Sequence, residues 1–163
     1  MPDQPTINIT LDGVPRTIET GTTGTLLLQD AVKHDGVVAM RVNGEPWDLD
    51  RQVPAGAVVE PITLASEDGL NILRHSATHV MAQAVQAMFP DVNLGIGPFI
   101  TDGFYYDFGA IDAVTPEMLR EIEKRMKRIV KEGQRFVRRD ITEDQGREEL
   151  ADQPYKLELI TTK

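Results

Sequence analysis

The sequence predicts an α+β protein in two units, residues 1–64 and 65–163. Three observations predict it. The first 64 residues alternate apolar and polar side chains at a period of two, between Asp-Gly and Asn-Gly turns. A short polar joint, Ala65 to Gly69, follows. From Leu70 the apolar period lengthens to that of a helix.

Thr6 to Leu11 alternates as a half-buried strand does. Asp12-Gly13 is a hairpin turn, since glycine accepts positive φ without steric cost, and Val14 to Glu19 returns as a second strand. Thr22 or Thr23 can cap a short helix to about Lys33. Val37 to Val42 reads as a third strand, Asn43-Gly44 as a two-residue turn, and Glu45 to Leu49 as the return. Val58 to Leu64 closes the unit. Strands around one helix in about 60 residues point to a ubiquitin-like β-grasp.

Asp68 is the expected N-cap of the next helix. Its apolar stripe is Leu70, Leu73, Ala77, Val80, Met81, Ala84 and Met88, and Pro90 ends it. Leu94 to Phe108, rich in glycine and aromatics, reads as two short strands around Asp102-Gly103. Thr115-Pro116-Glu117 opens another helix, with proline at its first position. Leu119, Ile122, Met126 and Ile129 are its expected buried side. Arg135 to Ile141 reads as a strand, and Thr142 as the cap of a helix to about Ala151.

The composition narrows the function. No apolar run reaches the ~20 residues of a membrane helix. Met1-Pro2-Asp3-Gln4-Pro5 is polar and acidic, unlike a secretory leader. The expectation is a cytoplasmic protein without a membrane partner. The chain has no cysteine and a net charge of -9, which argues against a generally basic nucleic-acid binder. Yet residues 120–139 carry nine basic and three acidic side chains, a net of +6. Lys124, Lys127 and Lys131, with Arg128 beside them, recur at helical steps opposite the apolar stripe. They form either a solvated face or a patch for phosphates.

His75 and His79 stand four apart on the first long helix, so their imidazoles share one face. Such a pair can orient a water, bind a metal or grip a substrate; it can also be the polar rim of an amphipathic helix. Ser76 stands where a zinc protease would have glutamate, and two nitrogens are too few for a closed zinc site, so no metal is expected here. His34 is expected to be structural or solvated. Gly95, Gly97 and Gly103 suit either a tight β-turn region or a pocket wall, with Tyr105 or Tyr106 offering a hydroxyl and a flat face.

Three blocks in order carry a family resemblance. Asn71-Ile72-Leu73-Arg74-His75-Ser76-Ala77-Thr78-His79, then Ile96-Gly97-Pro98 with Asp102-Gly103-Phe104-Tyr105-Tyr106-Asp107, then Pro154-Tyr155-Lys156-Leu157-Glu158-Leu159-Ile160 resemble the editing domain of threonyl-tRNA synthetases. The first 64 residues are similar to the TGS domain that precedes it there. The resemblance implies a two-site enzyme. A catalytic domain joins threonine to tRNA with ATP, magnesium and zinc, none of which this stretch is expected to bind. The editing domain hydrolyses the ester when serine was attached in error. Serine lacks one methyl group of threonine, a difference of only ~1–3 kcal/mol in binding, so a second site must remove the mistake.

On this resemblance His75 and His79 face the aminoacyl ester at the tRNA 3′ end. Lys156 stabilises the developing oxyanion. Gly95, Gly97 and Tyr105 shape the pocket, and Lys124, Lys127, Arg128 and Lys131 meet the tRNA. It also implies a homodimer, held through the catalytic core. The chain departs from the family in two ways. The family's Cys-x-x-x-His block is not among these residues, so the expectation is a fragment with an incomplete editing site. Ala77-Thr78 reverses the order expected in many relatives. Two other readings compete: a regulatory binding module, since TGS domains also occur in GTPases and stringent-response proteins, and a small metallohydrolase built on His75 and His79.

Overall fold

The structure is a computed structural model that describes residues 5–109, 111 and 113–162. It contains both helices and strands, an α+β fold. By contact the chain divides into two compact units, Met1–Leu73 and Arg74–Lys163.

The first unit is built on a five-stranded mixed sheet. Strands β1 (Thr6–Leu11) and β2 (Val14–Glu19) form a hairpin in which Leu11 faces Val14. Asp12 and Gly13 both take positive φ, 49° and 76°. A two-residue hairpin needs this to match the twist of its strands. The expected single helix is two, α1 (Gly24–Leu27) and α2 (Gln29–His34). Thr23 caps α1, its hydroxyl accepting from the Leu26 amide at 3.4 Å. Leu28 interrupts the run at φ -107°, ψ 18°, and its side chain is buried in the core. Burying a leucine is worth about 1.5–3 kcal/mol, more than the one helical turn that the bend disturbs.

Strands β3 (Val37–Val42), β4 (Glu45–Trp47) and β5 (Val58–Thr63) complete the sheet in the order β2-β1-β5-β3-β4, with β1 and β5 parallel. This is the β-grasp arrangement. β4 stops short of the expected Leu49, because the Leu49 carbonyl accepts from the Thr25 amide at 2.7 Å and so serves the helix entrance. Ile9, Leu28, Val37, Met40, Val42, Val53, Ala57 and Val59 form the core. At the β3–β4 turn Asn43 takes φ 52°, and its side-chain oxygen accepts from the Val58 amide at 2.8 Å.

Helix α3 (Glu67–Gln86) is the longest element, and the division between the units falls within it. Its cap is Ser66 rather than the expected Asp68. The Ser66 hydroxyl accepts from the Gly69 amide at 3.1 Å and donates to the Thr63 carbonyl at 2.7 Å. Asp68 lies in the first turn and pairs with Arg41. The expected stripe also needs correction. Ala84 is buried as expected, but Leu70 and Leu73 are exposed, and Thr78, Ala82 and Val85, outside the stripe, are buried. Thr78 tolerates burial because its hydroxyl donates to the His75 carbonyl at 2.6 Å.

In the second unit two small ladders follow α3. Strand β6 (Asn93–Leu94) pairs with β9 (Phe108–Gly109), and β7 (Phe99–Ile100) pairs with β8 (Gly103–Phe104). The expected pair around Asp102-Gly103 is β7 and β8; β6 and β9 are additional. Helix α4 (Pro116–Glu132) starts at a Thr115 cap and ends at Gly133, whose φ of 62° suits glycine. Ile129 is buried, while Leu119, expected on the same side, is exposed. The expected strand Arg135 to Ile141 is irregular and exposed. A strand needs a ladder partner, and none pairs with it among the described residues. Helices α5 (Glu143–Glu149, capped by Thr142) and α6 (Pro154–Thr161) follow. Among the described residues no helix is long and apolar enough to cross a membrane.

Gly69 fixes how closely α3 begins against the sheet. A Cβ placed there would lie 1.9 Å from the Thr63 carbonyl oxygen, and that neighbour is backbone. Gly→Ala in an open helix gains about 1 kcal/mol. Here the sign should reverse: Gly69→Ala should lower stability by about 1–3 kcal/mol, the usual cost of overpacking. Thermal and urea denaturation of the two proteins check this, and a stabilised variant would contradict the packing described.

Candidate functional site

Helical geometry sets His75 and His79 one turn apart on α3. Their Nε2 atoms are 3.0 Å apart, a hydrogen bond in which one ring donates and the other accepts. The ring centroids lie 4.9 Å apart. Phe99 stands 6.4 Å from His75, and Phe136 meets His79 edge-on at 6.1 Å. Both imidazoles remain exposed beside these rings.

The electrostatics set His79 apart from an ordinary surface histidine. Burial, then the neighbouring His75, then the Lys156 ammonium hold the His79 pKa below its usual 6.5. All three disfavour a second positive charge in the same place. Lys156, on the first turn of α6, is itself pushed below the usual lysine range by burial. Its Nζ lies 5.8 Å from the centre of the Tyr106 ring, within reach of a cation–π attraction.

Tyr106 organises this corner. Its ring stacks on Phe108 at 4.7 Å and 14°, and burial raises its phenol pKa. A Cβ on Gly97 would fall 2.3 Å from a Tyr106 ring carbon, so only glycine leaves the ring room. The structure thus brings together His75, His79, Lys156 and Gly97. The other two residues expected to shape the pocket stand differently. Tyr105 is exposed, and its amide reaches the Pro98 carbonyl at 3.4 Å. Gly95 donates to the Asp107 carbonyl at 2.9 Å, just beyond the β6–β9 ladder. Sequence reasoning could have preferred Tyr106. Phe104, Tyr106 and Phe108 share a period of two, which aligns Tyr106 with Phe108.

Two cavities flank these residues. One of about 390 Å³ is lined by His79, Gln83, Gln134 and Phe136 among others. Another, roomier one of about 420 Å³ is lined by Gly95, Ile96, Phe108, Tyr155 and Leu159 among others.

 The second is lined by the carboxylates of Asp107 and Glu158 and by no histidine, whereas the first takes in His79. Among the described residues no three His, Cys, Asp or Glu side chains stand close enough together to hold a metal ion.

The basic face of α4 is laced with acids. Lys124 pairs with Glu121 at 3.7 Å, Lys127 with Glu123 at 2.6 Å, and Arg128 with Glu132 at 3.6 Å. Lys127 holds the Glu123 carboxyl below the usual carboxylate range. Such exposed pairs contribute little to stability and exchange readily for another anion. Lys131 lies in the last turn of the same helix.

Known proteins can be set beside this geometry. No family model matches the chain. Curated relatives match it end to end. The threonine–tRNA ligase of Cutibacterium acnes is 68% identical over 160 residues, covering 96% of this chain and 23% of the relative. That of Thermobifida fusca is 53% identical over 161 residues, 98% of this chain and 24% of the relative. That of Pseudarthrobacter chlorophenolicus is 52% identical over 163 residues, 100% of this chain and 24% of the relative. The chain spans about a quarter of the length of the curated relatives it matches. By sequence it belongs with the N-terminal portions of threonine–tRNA ligases.

The depressed His79 pKa gives a direct test. In proton NMR titrations His79 should have its midpoint below 6.5. His75→Ala should move that midpoint up only part of the way, because burial, the larger cause, remains. The stability consequence has a fixed sign. Between the folded and unfolded pKa values the unfolded chain binds more protons. The contribution of His79 is therefore complete above pH 6.5 and is lost as the pH falls below it. A His79 midpoint at or above 6.5 would contradict the site geometry.

Proposed function

We propose that the second unit takes part in hydrolysing the ester of seryl-tRNA, as the editing portion of a threonine–tRNA ligase. The observation that carries this is the His75–His79 contact at 3.0 Å with the Lys156 charge reaching His79. The relatives' name, threonine–tRNA ligase, supplies the class of substrate. On this reading the partners are a threonine-accepting tRNA and its seryl or threonyl group. Ligation itself, with ATP, magnesium and zinc, belongs to a catalytic domain outside these residues, as does a homodimer contact. The cytoplasm, where tRNA is charged, is the proposed location.

The chemistry follows from the groups present. A water oxygen attacks the ester carbonyl, and its proton passes to a ring nitrogen of the His75–His79 pair. The carbonyl oxygen becomes an oxyanion, and the Lys156 ammonium stabilises it. The bond to the ribose oxygen then breaks, and that oxygen takes the proton back. Serine and free tRNA leave. The depressed His79 pKa keeps a proton acceptor available at neutral pH, and Lys156 supplies the positive charge that a protonated imidazole would otherwise have to provide.

In the full-length protein, replacing both His75 and His79 with alanine should slow seryl-tRNA hydrolysis by about 10²- to 10⁴-fold, the usual span for lost acid–base catalysis. Threonine activation should persist, since ATP–pyrophosphate exchange belongs to the other site. Alanine is the best helix former, so α3 should survive. A double variant that clears seryl-tRNA at the parental rate would sink the assignment.

The same proposal assigns Lys124, Lys127, Arg128 and Lys131 to the tRNA backbone. Changing them to glutamate should weaken tRNA binding at low salt, and the difference should narrow as salt rises. Equal affinities at low salt would leave α4 with a solvated face only.

A further inference from the structure

We propose that Gln153 is a positioning residue that holds Lys156 beside His79, gripping β6 with its side chain while its backbone opens the helix carrying the lysine. The inference rests on the editing reading above for what Lys156 does there, but its geometry stands apart from that reading. Gln153 is the N-cap residue of α6, yet its side chain makes no capping hydrogen bond. The amide is turned the other way. Its Oε1 accepts from the Leu94 amide at 2.7 Å, and its Nε2 donates to the Val92 carbonyl at 3.3 Å. One side-chain amide thereby bonds β6 as a neighbouring strand's peptide would. Strand β9 already pairs with β6.

The main chain of the same residue holds the lysine. The Gln153 carbonyl accepts from the Lys156 amide at 3.0 Å and from the Leu157 amide at 3.1 Å. Pro154, at the first helical position, restricts the backbone between these anchors. The two hydrogen bonds, to Leu94 in β6 and to Val92 just before it, are partly buried, where a lost partner costs more than at the surface. A second contact supports the same placement: a Cβ on Gly109, the β9 residue facing Asn93, would lie 3.0 Å from the Tyr155 ring. The lysine's neighbour therefore sits directly on the ladder that Gln153 grips. Strand β6 so acts as the reference from which the ammonium is placed over Tyr106.

The test reads the lysine's position through His79, whose pKa the Lys156 charge helps to depress. Proton NMR titrations of the whole chain are recorded for the parent, Gln153→Ala, Lys156→Met and the double variant. Lys156→Met should raise the His79 midpoint. Gln153→Ala should raise it in the same direction by most of that shift, and should add little in the double variant. Gln153→Met repeats the comparison with the side-chain volume retained, should the alanine variant lose its fold. An unshifted His79 in Gln153→Ala and Gln153→Met would overturn the proposal. So would a shift that persists undiminished in the Lys156→Met background, since Gln153 would then act independently of the lysine. In the full-length protein Gln153→Met should lower kcat for seryl-tRNA hydrolysis by on the order of ten- to a hundredfold, the scale of a misplaced catalytic group, with KM little changed. If His79 responds as described while Lys156→Met leaves hydrolysis intact, the positioning stands and the editing reading falls.

Discussion

Two imidazole nitrogens 3.0 Å apart can share one proton, and a second proton between them meets direct repulsion. The rest of the second unit is arranged around that constraint. Phe99 and Phe136 lie beside the two rings, and partial burial of His79 further disfavours its charged form. Lys156 adds a positive charge of its own. His79 is therefore biased toward its neutral form, the state that the proposed ester hydrolysis would require of a proton acceptor. Were the histidines fully solvated and further apart, each would titrate by itself and the site would lose that bias.

Placing the lysine is the harder structural task, because it lies on a different element from the histidines. Long lysine side chains are flexible and costly to order. Among the described residues the structure answers with close contacts rather than with an ion pair. Gly97 lets the Tyr106 ring settle, Phe108 stacks on that ring, and Gln153 binds the start of α6 to β6. An acidic partner would fix Lys156 more simply. It would also neutralise the charge that the proposed hydrolysis would turn toward a developing oxyanion.

Much of the first unit was legible in the sequence, and the reasons are local. Asp12-Gly13 and Asn43-Gly44 define two-residue turns, and both turns take the positive φ values that such hairpins need. The break at Leu28 was not legible, because helix propensity across residues 24–34 is continuous and only burial of Leu28 decides against it. In the second unit the caps Thr115 and Thr142 were readable from their own chemistry. The strand expected at Arg135 to Ile141 was not formed, since a strand depends on a partner that alternation cannot reveal. The histidine pair was legible from spacing. Gln153 was not, because nothing in a sequence shows that a residue at a helix start will turn its amide toward a strand.

The measurement that tests the central claim most directly is binding of a non-hydrolysable analogue, seryl-adenosine with an amide in place of the ester, to the chain followed by NMR. The account predicts that the largest shifts fall on the His75 and His79 ring protons and on the Lys156 side chain, and that the analogue raises or lowers the His79 midpoint on binding. Saturable binding whose shifts spare all three residues, and leave the His79 titration where it was, would contradict it.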